Sequence, residues 1–288
     1  MAGRLLVVGT PIGNLGDLTP RAAEALRTAD LVVAEDTRLA GRLLAHLGAK
    51  RPTVSFNDHS PPARLGDLLA RLARGETLAL TTDAGMPGVS DPGARLVAAV
   101  RDAGIAVEVL PGPSAVTAAI AVSGIESLGF LFGGFLPARP AAARTRALER
   151  LLDASGATAL PLVLFEAPHR IGALLRALDG LVPQARVAAC RELTKLHEEV
   201  LIGTPAEVLS RLADPRGELT LVISGIPRPD AAEALDVAAL VDAAQDASLS
   251  PRTTVELLRA MGVPRRVAYR AVPARDPRKA AKPPLTGR

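Results

Sequence analysis

The sequence has a single cysteine, few histidines and no long apolar run. With only Cys190 among 288 residues, neither a disulfide framework nor a cysteine-rich metal site is expected. The histidines contain no H-x-x-x-H pair, so no metal centre is expected either; they are His46, His59, His169 and His197. No stretch approaches the roughly 18 apolar residues that a membrane-spanning helix needs. The sequence therefore predicts no metal and no membrane partner.

The first residues, MAGRLLVVGTP, also lack the apolar segment of a secretion signal, because a glycine ends the run after four apolar residues. A reduced, cytoplasmic location is expected. The apolar content of 48% over 288 residues is enough for two α/β domains with separate cores.

Aromatic side chains are scarce: five phenylalanines, one tyrosine and no tryptophan. Stacking of bases on aromatic rings, a common way to hold single-stranded RNA, is therefore scarcely available. If the partner is RNA, we expect phosphate contacts and shape to dominate its recognition.

The formal net charge of +4 is concentrated at the C-terminal end. Residues 251–288 hold ten Arg or Lys against Glu256 and Asp276, a local balance of +8, so the first 250 residues sum to −4. Such a tail could grip a polyanion. It could equally be a solvated, disordered end in an arginine-rich chain that has only four lysines.

Apolar runs rich in β-formers alternate with helical periods, which predicts parallel sheets covered by helices. Thr19 and Pro20 are typical of a helix start that ends near Ala29. The predicted strands are Arg4–Val8, Leu31–Ala34, Thr77–Leu80, Ala106–Leu110, Leu128–Phe132, Leu160–Phe165, Arg186–Cys190, Glu199–Ile202 and Leu219–Ser224.

We expect four segments along the chain. They are an N-terminal α/β domain at 1–112, a second α/β domain at 113–226, a small helical basic domain at 231–272 and a disordered tail at 273–288. Gly225–Asp230 is the predicted linker, and the predicted helices beyond it are Ala238–Ala247, Pro251–Met261 and Pro264–Ala271.

Glycine and proline concentrate where predicted strands end, in segments 9–16, 82–93 and 110–115. The second of these, TDAGMPGVSDPG, holds three glycines, two prolines and two aspartates. Ligands of parallel α/β sheets bind at the carboxyl ends of strands, where glycine lets the backbone approach and proline pre-shapes the loop. A ligand site is favoured over ordinary tight turns.

The first loop does not match the dinucleotide fingerprint G-x-G-x-x-G, because it reads G-x-x-x-G-x-x-G with Pro11 inside. Glu35 and Asp36 do follow about 20 residues later, where a ribose-binding acid would be expected. A nicotinamide-dependent enzyme is therefore only a weak alternative.

Two further segments place ionisable groups at strand ends of the second half: LFEAPHR at 164–170 and CRELTKLHEE at 190–199. Charged runs are usually solvated and lone histidines usually structural. Because these two segments are expected to lie opposite the first three loops, a functional role is as well supported as a structural one.

Eight segments occur in an order that resembles one family: TPIGNLGDLT (10–19), AEDTR (34–38), TDAGMPGVSDPG (82–93), LPGPSA (110–115), GFLP (134–137), FEAPHR (165–170), RELTKLHEE (191–199) and GELTLVI (217–223). They are similar to the tetrapyrrole methylase superfamily, in particular to its branch of bacterial 16S ribosomal RNA cytidine 2′-O-methyltransferases. The resemblance spans about residues 4–225, and the tail is similar to a small helical domain on many members.

The resemblance implies two α/β domains with S-adenosylmethionine bound in the cleft between them, in a homodimer that acts on 16S rRNA within the small ribosomal subunit. The implied cofactor contacts are Pro11, Asp83, Ala84, Gly85, Val89, Ser114, Ala115, Phe165, Leu219 and Thr220. Three departures from the family pattern are Met86 for Thr, Ala167 for Ser, and FNDHS at 56–60, which leaves an RNA-facing role of His59 open.

Methyl transfer to a ribose hydroxyl needs alignment and help with the hydroxyl proton. The catalytic candidates are Glu166, His169, Glu192 and Lys195, and sequence does not choose among them. Planar guanidinium groups suit phosphate, which makes Arg38, Arg170 and Arg191 the candidate RNA contacts.

Two alternative functions remain open at this point. One is a tetrapyrrole C-methyltransferase of the same superfamily, which the TPIGN, DAGMPGVSDPG, FEAPHR and RELTK segments disfavour. The other is a non-catalytic basic adaptor that binds ribosomal RNA through its tail, which the intact glycine-rich loops disfavour.

Overall fold

The computed structural model describes residues 3–57, 59–91, 93–212, 216–227, 237–247, 249–261, 263 and 265–272. The chain divides into two compact units, residues 1–226 and 227–288. The predicted disordered tail at 273–288 and the end of the predicted linker at 228–230 lie outside the described residues.

The first sheet contains five parallel strands in the order β3-β2-β4-β1-β5. The strands are β1 Arg4–Val8, β2 Leu31–Ala34, β3 Thr53–Ser55, β4 Thr77–Thr81 and β5 Ala106–Leu110. The helices of this half are α1 Pro20–Thr28, α2 Thr37–His46, α3 Pro62–Ala73, α4 Gly93–Asp102 and α5 Ala115–Ser123. Because all five strands run the same way, every loop that follows a strand leaves the same edge of the sheet.

Helices cover both faces of the first sheet. On one face α1 and α2 pack through Leu26 and Leu43, and on the other α3 and α4 pack through Leu72 and Leu96. Helix α1 begins as predicted: the Thr19 side chain accepts a hydrogen bond from the Ala22 N–H, and Pro20 takes the first helical position.

The second sheet contains β6 Leu131–Phe135, β7 Leu162–Glu166, β8 Arg186–Arg191, β9 Glu199–Gly203 and β10 Leu219–Ser224. The strand order is β6-β7-β10-β8-β9, and only the β6–β7 pair is parallel; the other three pairs are antiparallel. The prediction of a parallel sheet is wrong for this half. Only residues 192–198 join β8 to β9, too few for the crossover that parallel neighbours require.

Alternation along the strands divides the second sheet into two faces. Leu162, Leu164 and Leu221 belong to the core under α6 (Ala141–Thr158), α7 (Ile171–Leu181) and α8 (Pro205–Arg211). Val163 and Val222 pack instead with α5 and with Ile12 of the first loop. Helix α5 therefore follows the last strand of the first sheet but is buried against the second, which joins the two halves.

The second unit contains three helices in its described part: α9 Val237–Asp246, α10 Pro251–Ala260 and α11 Arg265–Ala271. Val241, Val255, Leu258 and Ala268 form its small core. These helices lie within a residue of the predicted ones. In the described part of the chain, no helix is long and apolar enough to cross a membrane.

Most strand predictions are confirmed, and the misses have local causes. Strand β6 begins at Leu131, three residues later than predicted, and continues through Gly133 and Gly134, whose missing side chains hide the strand pattern. Strand β3 has three residues, too few to show a period.

Candidate functional site

The three glycine-rich loops meet because β4, β1 and β5 are neighbours. The first and second loops form a two-way backbone bridge: the Thr10 N–H donates to the Gly85 carbonyl at 2.9 Å, and the Gly85 N–H donates to the Thr10 carbonyl at 3.1 Å. The Gly9 N–H donates to the Leu110 carbonyl at 3.0 Å, which ties in the third loop. The predicted ligand edge of the first sheet is thus one continuous surface.

Glycine is required where these loops touch. A Cβ on Gly112 would lie 2.8 Å from the Gly9 Cα, a backbone contact that cannot relax. Gly85 has φ of +83°, a conformation that other residues adopt only with strain. Gly9 and Gly85 are buried, and the missing side chains let the three loops pack backbone against backbone.

The second sheet supplies the opposite wall through the face that packs on α5. Phe165 and Thr220 are cross-strand partners on that face, and Ser114 and Ala115 begin α5 beside it. Ser90 of the second loop lies close to Gly134 of β6, since a Cβ on Gly134 would lie 3.2 Å from the Ser90 Oγ. The chemistry of this set, backbone groups with a few small polar and aromatic side chains, fits S-adenosylmethionine.

Most of the predicted cofactor residues border this region, but Leu219 differs. It is buried in the core under α6 and α7, so its side chain lies on the sheet face away from α5. Val89 lies on the exposed part of the second loop, and Asp83 and Ala84 begin that loop.

A cavity of about 380 Å³ adjoins the loops on the side of α2. Its walls come from the first loop, the start of the second loop, α2 and two residues of the second sheet's loops. The lining residues are Thr10, Pro11, Ile12, Gly13, Leu15, Leu39, Ala40, Arg42, Leu43, Thr81, Thr82, Asp83, Ala84, Lys195 and Glu218. Of the predicted cofactor contacts, only Pro11, Asp83 and Ala84 also line this cavity.

Lys195 forms the polar edge of the cavity. Its Nζ donates to Glu192 Oε1 at 2.9 Å and to Glu218 Oε2 at 3.2 Å. Burial by itself lowers the pKa of Lys195, but these carboxylates outweigh it and raise that pKa above its ordinary value. Burial likewise tends to raise the pKa of Glu192, yet the hydrogen bonds from Lys195 and the Glu218 N–H lower it. The pair is therefore an ammonium and a carboxylate at neutral pH.

Glu166 is placed differently from the other catalytic candidates. Its side chain is fully buried at the end of β7, on the sheet face that α6 and α7 cover. Arg144 of α6 pairs with one carboxylate oxygen, and Arg170 Nε lies 2.7 Å from the other, which also accepts from the Ala167 N–H. With both oxygens occupied and no exposed surface, Glu166 has a structural environment and not that of a proton acceptor.

Three acidic side chains, Glu35, Asp36 and Asp83, lie at the carboxyl ends of β2 and β4. The Asp36 N–H donates to Asp83 Oδ1 at 3.0 Å, and Thr82 Oγ1 donates to Glu35 Oε2 at 3.0 Å. Burial, aided by neighbouring carboxylates, raises the pKa of Glu35 and of Asp83. The hydrogen bond from Arg38 instead lowers the pKa of Asp36 to about 2.

The remaining predicted contacts are dispersed. Arg38 is exposed and held by Asp36, Arg191 pairs with Glu199 at 3.1 Å, and Arg170 is occupied by Glu166. His169 is exposed on a short 3-10 turn, Pro168–Arg170, at the start of α7. These groups do not form one cluster.

Sequence reasoning missed three residues. Arg42 and Glu218 line the cavity, and Arg144 neutralises Glu166. Arg42 follows Arg38 by one helical turn, which could have indicated it. Nothing local distinguishes Glu218 or Arg144, since their roles depend on strands and helices distant in sequence.

Comparison with known proteins agrees with this architecture. Residues 4–209 match the family model described as Tetrapyrrole (Corrin/Porphyrin) Methylases. The chain is 43% identical to Ribosomal RNA small subunit methyltransferase I of a Synechocystis species, over 79% of this chain and 81% of that protein. It is 41% identical to the protein of that name from Xylella fastidiosa strain Temecula1, over 93% of this chain and 98% of that one.

Among solved structures, a Thermus thermophilus uroporphyrin-III C-methyltransferase complexed with S-adenosylhomocysteine has the same fold, with a TM-score of 0.55 and 20% identity over 78% of this chain and 98% of that one.

The chain has two β-sheets with covering helices, joined through α5, and its glycine-rich loops meet at the strand ends of the first sheet. This architecture defines the tetrapyrrole methylase class of proteins. The chain belongs to this family and, within it, to the group that carries the name ribosomal RNA small subunit methyltransferase I. The family resemblance and the fold class predicted from the motifs are both confirmed.

Proposed function

We propose that the chain transfers a methyl group from S-adenosylmethionine to the 2′-hydroxyl of a cytidine in 16S ribosomal RNA. The main support for this proposal is the arrangement of the three glycine-rich loops that follow β4, β1 and β5. The Thr10–Gly85 bridge joins two of these loops, and Phe165 and Thr220 of the second sheet face them. Relatives that are 43% and 41% identical to this chain, over 79% and 93% of its length, are named as ribosomal RNA methyltransferases.

The cofactor would lie between the second and third loops and the α5 face of the second sheet. Gly85 holds the second loop against the first, Ser114 and Ala115 bring the start of α5, and Phe165 provides an apolar surface. When bound, S-adenosylmethionine supplies a methyl group on a positively charged sulfur. Pro11, Asp83 and Ala84 would mark the boundary where that methyl group meets its acceptor.

The transfer would form a C–O bond to the ribose 2′-oxygen as the C–S bond breaks, and the hydroxyl proton would pass to solvent water. Lys195 is the catalytic candidate that lines the cavity beside that boundary. Its raised pKa makes it a hydrogen-bond donor, suited to stabilise negative charge on the 2′-oxygen, and not a base. Glu192 and Glu218 hold the ammonium in place. We expect alignment of the 2′-oxygen with the methyl group to supply most of the rate enhancement.

RNA would be held at the periphery of the site. Arg38 is exposed, and Arg170 and Arg191 lie at the strand ends of the second sheet, with the basic segment 251–288 as a further contact. We expect the enzyme to act as a cytoplasmic homodimer on the small ribosomal subunit.

The deciding experiment incubates the protein with methyl-labelled S-adenosylmethionine and, in separate reactions, small ribosomal subunits lacking the modification, free 16S rRNA and a uroporphyrinogen. Label in a 2′-O-methylcytidine of the RNA is the expected result. Label in the tetrapyrrole alone would identify a C-methyltransferase, and no label in any of them would overturn an enzymatic role.

A catalytic variant refines this test. Lys195→Met should lower kcat by about a hundredfold, the usual scale for a lost charged donor at the reacting oxygen, with the Kd for S-adenosylhomocysteine unchanged. Lys195→Arg keeps the positive charge and should recover part of the rate. Full activity of Lys195→Met would remove Lys195 from the mechanism.

A further inference from the structure

The cavity beside α2 has apolar walls and a charged edge. Pro11, Ile12, Leu15, Leu39 and Leu43 form the walls. Its volume of about 380 Å³ falls within the roughly 300–1,000 Å³ of small-molecule sites, which combine apolar walls with a few placed polar groups. Leu15 and Leu39 remain 47% and 37% exposed, so this apolar surface is open to an incoming ligand.

The position of the cavity relates it to the cofactor region. The two spaces share Pro11, Asp83 and Ala84, whereas Gly85, Ser114 and Phe165 lie only on the cofactor side. An in-line transfer needs acceptor and donor to meet with about 3–3.5 Å between reacting atoms. A group seated in the cavity would approach the methyl group across that shared boundary.

The charges around the cavity suit a nucleotide. Arg42 forms no ion pair with any residue that the structure describes, which leaves its guanidinium available to a phosphate. Lys195 donates hydrogen bonds, while Asp83 and Glu218 offer carboxylate oxygens that can accept from an exocyclic amino group. Donors and acceptors therefore line the same pocket as the apolar walls.

We propose that this cavity receives the target pyrimidine nucleoside, turned out of the RNA, with Leu15 and Leu39 against the base and Arg42 on a neighbouring phosphate. The assignment rests on the proposed function and names its acceptor site. Enzymes that modify a nucleotide commonly extrude it into such a pocket. In a chain with few aromatic residues, aliphatic walls take the place of stacking rings.

The first test places a carboxylate on the cavity wall. Leu39→Glu repels the RNA backbone and removes apolar contact, so the KM for the RNA substrate should rise about tenfold, the equivalent of about 1.4 kcal/mol, with the Kd for S-adenosylhomocysteine unchanged. The matched control is Leu181→Glu, since Leu181 is 43% exposed at the end of α7 and does not line the cavity. The control should behave like the wild type in both measurements.

A second test uses fluorescence and does not depend on turnover. Because the chain has no tryptophan, Leu39→Trp and Leu181→Trp each introduce a single indole. An RNA fragment containing the target cytidine should change the emission of the indole at position 39 and leave that at position 181 unchanged. The same fragment lacking the cytidine base should have no effect at either position.

Arg42 is tested by the salt dependence of RNA binding. Arg42→Gln should lower the slope of log affinity against log salt by about 0.7–0.9, the loss of one phosphate contact. Arg51→Gln is the control, because Arg51 is exposed and outside the cavity.

The outcomes separate this inference from the function on which it rests. A wild-type protein that methylates RNA, combined with a Leu39→Glu variant of unchanged KM and an indole at position 39 insensitive to RNA, would overturn the cavity assignment alone. A wild-type protein that methylates no RNA would overturn the proposed function and this inference together.

Discussion

Gly13 lies directly beneath the side chain of Lys195. A Cβ built on Gly13 would be 2.4 Å from Lys195 Cγ and 2.8 Å from Thr194 Oγ1. The adjacent Asn14 N–H donates to Thr194 Oγ1 at 3.1 Å. The first loop of one sheet and the β8–β9 loop of the other are thus in direct contact, and the absence of a side chain at position 13 lets the lysine reach the cavity.

We predict that Gly13→Ala displaces Lys195 and lowers kcat for RNA methylation by about tenfold or more, because a shift of about 1 Å at a reacting group has effects of that size. The Kd for S-adenosylhomocysteine should change little. Steady-state kinetics and calorimetry measure the two quantities. Gly41→Ala, on α2 with no atom within 4 Å of the added Cβ, is the matched control. Equal kcat for both variants would contradict the prediction.

We predict that Glu166→Gln destabilises the protein by about 3–5 kcal/mol, because it leaves the partly buried Arg144 and Arg170 without their counter-charge. Urea unfolding followed by circular dichroism measures this. Glu108→Gln removes an exposed carboxylate that also pairs with two arginines, Arg4 and Arg21, and should cost only about 0–1 kcal/mol. Similar losses for both variants would show that burial does not matter at Glu166.

The thiol of Cys190 should be unreactive in the native protein. Burial raises its pKa to about 12, so almost no thiolate forms at neutral pH, and the thiolate is the nucleophile. Ellman's reagent at pH 8 should therefore label about one thiol per chain in denaturant and almost none under native conditions. Rapid native labelling would mean that β8 opens far more often than a buried strand should.

The Glu192–Lys195 pair predicts a stability loss in acid. The pKa of Glu192 is lowered in the folded state, so its contribution is present above its ordinary value of 4.5 and disappears as pH falls through the lowered folded value. Unfolding free energies between about pH 7 and pH 3 should fall less steeply for Glu192→Gln than for the wild type. Parallel curves would show that the pair does not contribute.

Loops and caps were predictable because their signals are local. Thr19 and Pro20 set the start of α1, and the glycines and prolines of segment 82–93 mark a strand-end loop whichever neighbours surround it. The eight ordered motifs identified the family for the same reason, since each is a short run readable without coordinates.

The sheet order of the second half could not be predicted from the same signals. Apolar runs at 162–166 and 219–224 indicate strands but carry no direction, and the antiparallel insertion of β10 between β7 and β8 follows from packing. The sheet face on which each residue lies depends on this packing. Phe165 faces α5, whereas Glu166, one residue later, is buried on the opposite face with Arg144.

By itself, the sequence determined the residue types at the strand ends, the family and the segments that form the site, because these follow from local conformation and order along the chain. Tertiary structure alone decided that Lys195 packs over Gly13 and lines the cavity, and that Arg42 and Glu218 line the same cavity. The physical reason is that residues 13, 42, 195 and 218 come together only when α5 buries its apolar face against the second sheet and so fixes one sheet against the other.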